Sequence, residues 1–263
     1  EYFDLYKTIP EFKEQNFNMT LNEFKIIFWW EWAHRFLGRL IGIAFLLPLI
    51  YFSTKIKFSK LLNLYLIFFL ICFQGFVGWY MVSSGLVNRV DVSHFRLSIH
   101  LVIAFLILSL ILWNYFKINK DIKKLNKINP IIPFIFLFLI YIQVVIGAFV
   151  SGMDAGKIYN SWPFMGNTYF PNDNNVMNLF KLSAFSDPSL VQFIHRCLAY
   201  IIGGFYLYIL YKIYKNKIYD LYKPINILGL FIFLQIILGI FTVLYGAQIF
   251  IASMHQISSI FLV

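Results

Sequence analysis

The sequence predicts an all-α, polytopic membrane protein, and three observations carry that prediction. The 263 residues are 60% hydrophobic and only 13% charged, with a mean hydropathy of +0.72, beyond what a soluble domain of this size displays. The apolar residues gather into runs of about twenty, the length a bilayer core requires of a helix. The lysines cluster in alternate connections between those runs. That is a signature of membrane orientation, so the net charge of +10 does not point to a nucleic-acid surface.

Taken in order, residues 1–28 mix aromatics with both charge signs and are expected at the outer membrane interface. Six full spans follow, over roughly 30–52, 61–82, 96–116, 131–150, 190–211 and 225–245, and a seventh begins at 250–263. One connection carries Lys55, Lys57 and Lys60. Another carries Lys117, Lys120, Lys123, Lys124 and Lys127, and a third Lys212, Lys215, Lys217 and Lys223. If every span crosses, these three lie on one side, which the positive-inside rule makes the cytoplasm or mitochondrial matrix. The connections 83–95, 151–189 and 246–249 then face out. The longest, 151–189, is rich in Gly, Asn and Pro and contains Trp162-Pro163-Phe164-Met165-Gly166. Connections of this length are functional or disordered, and its aromatic content favours a cap over the outer side.

Four histidines stand out in this frame. His34, His100, His195 and His255 each sit near the start of a span running from outside to inside. They are expected at similar depth, within about two turns of the outer surface. Ionisable side chains are costly in a bilayer and are usually functional, and histidine is the commonest haem and metal ligand. His94, in an outer connection, reads as a solvated residue. Cys72 and Cys197 lie inside apolar runs without CxxC or CxxCH spacing, which excludes a disulfide framework and covalent haem attachment. Both read as small core residues.

The chain also repeats itself. His34-Arg35-Phe36-Leu37-Gly38 resembles His195-Arg196-Cys197-Leu198-Ala199, and Gln74-Gly75-Phe76-Val77-Gly78 resembles Gln235-Ile236-Ile237-Leu238-Gly239, both at an offset of 161 residues. His100 and His255 stand at a similar offset. Gln143-Val144-Val145-Ile146-Gly147 has no earlier partner, because the offset falls before residue 1. A duplicated pair of four-helix bundles is therefore expected, with eight transmembrane helices in the intact protein. The first helix would precede this chain and the last is cut short. Residues 1–127 form the N-terminal half-bundle and 128–263 the C-terminal one.

A six-coordinate haem needs two axial ligands facing each other across the macrocycle, and histidines on neighbouring helices of one bundle supply them. The expected pairs are His34 with His100 and His195 with His255. Arg35, Arg96 and Arg196 lie nearby and suit haem propionates, or else snorkel to the interface. Gly38, Gly42, Gly203 and Gly204 suit close helix packing. The halves differ at one informative position. Glu31, three residues before His34, corresponds to Gln192 before His195. A carboxylate beside one pair only points to proton-coupled chemistry in the first half. Its simpler role is an i, i+4 ion pair with Arg35.

These residues resemble the haem A synthase family in its mitochondrial and alphaproteobacterial form. The resemblance rests on Tyr6-Lys7-Thr8-Ile9-Pro10-Glu11-Phe12, Glu31-Trp32-Ala33-His34-Arg35-Phe36-Leu37-Gly38-Arg39, Arg96-Leu97-Ser98-Ile99-His100-Leu101, Asn160-Ser161-Trp162-Pro163-Phe164-Met165, Gln192-Phe193-Ile194-His195-Arg196 and His255-Gln256. It implies an enzyme that oxidises the C8 methyl group of haem O to the formyl group of haem A for terminal oxidase assembly. His34 and His100 would flank the substrate haem, Glu31 would be the essential acid, and His195 and His255 would ligate a resident haem b. The cysteine pair found in the outer loops of some bacterial relatives has no counterpart here. Implied partners are haem O synthase, an electron-transfer protein and a second copy of the chain. The implied location is a bacterial plasma membrane or mitochondrial inner membrane, with both haem sites toward the outer side. A dihaem electron-transfer cytochrome would use the same four histidines, but it has no need of an acid beside one haem only. A transporter with histidines on a proton path fits the duplication, but favours broken helices at the midplane.

Overall fold

The structure, a computed structural model, describes residues 1–85, 90–118 and 128–263. Lys120, Lys123, Lys124, Lys127, residues 86–89 of the connection 83–95, and the expected boundary after residue 127 lie outside the described residues. Among the described residues every regular element is helical: α1 (Tyr2–Tyr6), α2 (Pro10–Glu14), α3 (Leu21–Ser53), α4 (Phe58–Gly85), α5 (His94–Ile118), α6 (Ile131–Gly152), α7 (Pro188–Lys215), α8 (Tyr222–Leu244) and α9 (Ile249–Ser258). Helices α3 to α8 are long and apolar enough to cross a membrane. The chain is thus an all-α, multi-pass membrane protein. It divides into two compact units, Glu1–Ile122 and Lys123–Val263.

In the first unit, α3 starts at Leu21, well before the expected residue 30. The cause is a capping box. Thr20 Oγ1 accepts from the Glu23 amide, and Glu23 Oε2 accepts from the Thr20 amide at 2.8 Å. This first turn carries Asn22, Glu23 and Lys25, so an apolar pattern cannot register it. α1 folds back onto the same start, and α2 packs on α1 through Phe12. Tyr2 packs on Phe28 with ring centroids 5.4 Å apart, and Phe3 and Tyr6 each pack on Phe24 at 5.1 Å. Phe24 and Phe28 share one face at i, i+4 spacing. Further along, α4 packs against both α3 and α5, with Leu49, Leu61, Ile67, Val77, Ile103 and Phe105 buried. His94 is the first residue of α5 and half-buried, so it is not the solvated loop residue expected.

In the second unit each helix packs on the next, α6 on α7, α7 on α8 and α8 on α9. Phe136, Ile140, Ile202, Ile209, Ile213, Ile218, Ile225 and Ile232 form one buried cluster, and Ile146, Phe149 and Val191 another. In lipid such clusters hold through close packing, because lipid tails are as apolar as the side chains. A Schellman turn joins α8 to α9. The Ala247 amide donates to Thr242 O at 2.7 Å and the Gly246 amide to Val243 O at 3.1 Å, with Gly246 at φ 63°, the left-handed region that glycine enters without penalty. The long connection 151–189 is ordered by 3-10 turns at Ala155–Lys157, Val176–Phe180 and Leu182–Ser186. It ends on Asp187, whose side chain caps α7 by accepting from the Leu190 amide at 3.0 Å, with Pro188 at the first helical position.

Candidate functional site

Each unit brings two histidine rings together across a pair of helices. In the first, His34 of α3 and His100 of α5 have ring centroids 6.4 Å apart and planes at 68°. In the second, His195 of α7 and His255 of α9 stand 6.5 Å apart at 82°. Metal–imidazole bonds of about 2 Å place the centroids of two rings on opposite sides of one metal roughly 6.4 Å apart. Among the described residues no third His, Cys, Asp or Glu joins either pair. A bare metal ion bound by protein wants about four ligands; two opposed imidazoles suit a macrocycle that brings the equatorial donors itself. Nδ1 of His100, His195 and His255 is buried with no hydrogen-bond partner, which is costly for a polar atom that has no other use.

The space for these rings comes from glycines on the preceding helices. A Cβ on Gly78 of α4 would lie 2.9 Å from His100 Cε1. One on Gly147 of α6 would lie 3.2 Å from His195 Cε1, and one on Gly239 of α8 3.2 Å from His255 Cε1. Four residues before each glycine, one helical turn away, stands a glutamine. Gln143 Nε2 donates to His195 O at 3.2 Å and faces His195 Nε2 at 3.3 Å. Gln235 Nε2 donates to His255 O at 3.0 Å and to Ser258 Oγ at 2.5 Å. Gln74 is the corresponding residue in the first unit, with its Oε1 buried and unpartnered. Sequence reasoning used Gln74, Gly78, Gln143, Gly147, Gln235 and Gly239 only as markers of the repeat. The threefold Q-x-x-x-G, with both residues on one helix face, was the signal of a histidine cradle.

The acid and the three arginines are placed as follows. Glu31 Oε2 accepts from Arg35 Nη2 at 3.0 Å, both side chains about half exposed, so the i, i+4 ion pair is formed. Arg96 Nη1 donates to Ser84 Oγ at 2.6 Å, with its guanidinium 5.0 Å from the Tyr80 ring centroid. Arg196 is turned onto the 151–189 connection. Nη1 donates to Ser161 O at 2.9 Å and Phe164 O at 3.4 Å, and Nη2 to Tyr159 O at 3.0 Å. Gln192, 2% exposed, donates to the same Tyr159 O at 3.1 Å.

Outside the spans, a second acid appears on the first unit. Tyr6 OH donates to Glu11 Oε1 at 3.0 Å, and Asn16 Nδ2 donates to Tyr6 OH at 2.8 Å and to Glu11 Oε1 at 3.3 Å. Burial pushes the Glu11 carboxyl up, with Tyr6 pulling it down and the charges of Glu31 and Asp91 adding to the rise. In the second unit, burial also pushes Asp173 up, but hydrogen bonds from Ser189 and Tyr159 together outweigh it and hold this carboxyl below its usual value.

The fold and these pairs define a class: a helical membrane protein with two pairs of facing histidine rings. Comparison with known proteins narrows it. Residues 1–263 match COX15-CtaA, cytochrome oxidase assembly protein. Proteins named heme A synthase are similar over almost the whole chain. That of Pelagibacter ubique is 49% identical over 263 residues, covering 98% of this chain and 77% of the relative. That of Rickettsia bellii is 42% identical and that of Flavobacterium johnsoniae 38%, each covering 99% of this chain and 79% of the relative. The chain belongs to the COX15-CtaA family.

Proposed function

We propose that this chain is a haem A synthase, an oxidoreductase that converts the C8 methyl group of haem O into the formyl group of haem A. The observation that carries the reading is the asymmetry of two otherwise matched histidine pairs: Glu31 stands one helical turn before His34, and Gln192 takes its place before His195. Residues 1–127 then form the substrate half and 128–263 the haem b half.

His34 and His100 hold the substrate from both faces, and Gly78 sets how far His100 reaches. With water supplying the oxygen atom, converting the methyl to a formyl group releases electrons and protons together; the electron-transfer partner takes the electrons and Glu31 accepts protons beside the substrate edge. Arg35, already paired with Glu31, holds that side chain in place, and with Arg96 offers donors to the propionates. His195 and His255 would hold haem b, which when bound supplies one-electron transfer. Gln143 and Gln235 fix those helices by bonding to the histidine carbonyls. Trp29, Trp32 and Phe36 pack on one another along the stretch of α3 that carries Glu31. Haem O synthase as the substrate source, an electron-transfer partner and self-association fit this role. So does a bacterial plasma membrane or mitochondrial inner membrane, with the histidines toward the outer side.

The test is haem extraction and chromatography of the full-length protein co-expressed with a haem O source. Haem A in the wild type, and haem O accumulating in Glu31→Gln, is the expected result. Haem b alone in both proteins would sink the synthase reading and leave a dihaem cytochrome.

A further inference from the structure

Position 192 decides what the neighbouring arginine does. Gln192, Arg196 and Tyr200 form one stripe on α7 at i, i+4, i+8 spacing, and the outer connection lies along all three. Tyr159 O takes hydrogen bonds from Gln192 and Arg196, Ser161 O and Phe164 O take two more from Arg196, and Trp162 Nε1 donates to Tyr200 OH at 3.1 Å. The same connection reaches the outer end of α8, where Asn160 Nδ2 donates to Val243 O at 2.9 Å. It therefore spans from the helix that carries His195 to the turn that leads into His255. In the first unit the repeat places Glu31, Arg35 and Arg39 on the equivalent stripe, and Glu31 engages Arg35 as an ion pair.

We infer that Gln192 and Arg196 are positioning residues that latch residues 159–164 over the outer end of the His195–His255 pair, making it the slowly exchanging, resident site. A neutral amide at 192 leaves the Arg196 guanidinium free to gather loop carbonyls; a carboxylate there would draw it into the ion pair seen at Glu31–Arg35. The retention part of this inference rests on the haem reading above, but the latch itself does not. A charged donor bound to several carbonyls is stronger than its neutral equivalents, and Lys, a point charge without the planar fork, cannot reach all three at once.

The experiment uses the full-length protein in detergent or nanodiscs, with and without haem b. Lys157 and Lys181 lie in the latched connection and report its opening to trypsin. Arg196→Gln and Gln192→Glu should each raise the cleavage rate at these lysines at least tenfold without haem, with helical content unchanged by circular dichroism. Arg196→Lys should fall between. In the loaded protein the same two variants should speed transfer of haem b to apomyoglobin from the second site by a similar factor. Unchanged proteolysis in both variants overturns the latch. Faster proteolysis with unchanged haem transfer overturns its role in retention. A wild-type protein that takes no haem at His195 and His255 overturns the haem reading instead, and the proteolysis still decides the latch.

Discussion

Gly78→Ala separates a ligating histidine from an idle one. The added Cβ would meet His100 Cε1 at 2.9 Å, whereas carbon atoms in contact settle at about 3.5–4.0 Å. The ring must therefore retreat by roughly 0.6 Å or more. An unligated imidazole swings aside at little cost, since its tip is the far end of a flexible side chain. One bound to a metal has a tolerance of about 0.2 Å, so the strain falls on the bond. Taking the usual overpacking cost of about 1–3 kcal/mol, haem affinity at the first site should drop roughly five- to 150-fold, with the thermal stability of the haem-free protein nearly unchanged. Gly75→Ala is the matched control three residues earlier on α4, with nothing within 4 Å of its Cβ, and should be neutral or gain up to about 1 kcal/mol of helix propensity. The assay is haem titration of full-length protein, read by affinity and by the low-spin spectrum of two axial imidazoles. If Gly78→Ala titrates like Gly75→Ala, His100 is not an axial ligand seated on α4, and the first-site argument fails.

Three further outcomes are expected. Because the Glu11 carboxyl is raised in the fold, it disfavours the ionised form; its contribution is intact below the ordinary glutamate range and lost as pH rises through the raised value. Glu11→Gln, which keeps an acceptor for Tyr6, should flatten that part of a melting-temperature profile, and a profile identical to wild type would contradict the burial argument. Asp173 has the opposite sign. Its contribution is present above the ordinary aspartate range and lost as pH falls through the lowered value, so Asp173→Asn should remove an acid-side loss of protection of the 151–189 connection in hydrogen exchange. Asp187→Ala removes the cap of α7 and the acceptor of Asn174 Nδ2 at 3.1 Å. It should cost about 1 kcal/mol in denaturant unfolding, and no measurable cost would show the cap redundant.

Much of this molecule was legible beforehand because its signals are periodic. Helices of bilayer length announce themselves by runs of apolar residues, and an offset of 161 residues aligns His34 with His195 and Arg35 with Arg196. What escaped was set by polar or absent side chains. The first turn of α3 is built by Thr20 and Glu23, which interrupt the apolar pattern that marks the rest of the helix. Gly78, Gly147 and Gly239 matter for the atoms they lack, and that is visible only once a neighbouring ring is in place. Arg196 reads from the sequence as a propionate donor or a snorkelling cation, and the carbonyls it also binds belong to a segment more than thirty residues earlier, a pairing no local spacing encodes. Glu11 looked like an interfacial charge, yet Tyr6 and Asn16 enclose it.

The seating of His100, His195 and His255 by a glycine of the helix just before each makes a two-helix hairpin the smallest piece that carries a ring together with its socket. The α4–α5, α6–α7 and α8–α9 hairpins are three such cassettes. The connections within these hairpins are correspondingly free to diverge, because ring placement is written into helix-on-helix contact. The Schellman turn of α8–α9 and the long folded connection of α6–α7 do the same work for their rings. Transplanting the short turn into the α6–α7 hairpin should leave the His195 imidazole on Gly147 while stripping away whatever the longer segment guards.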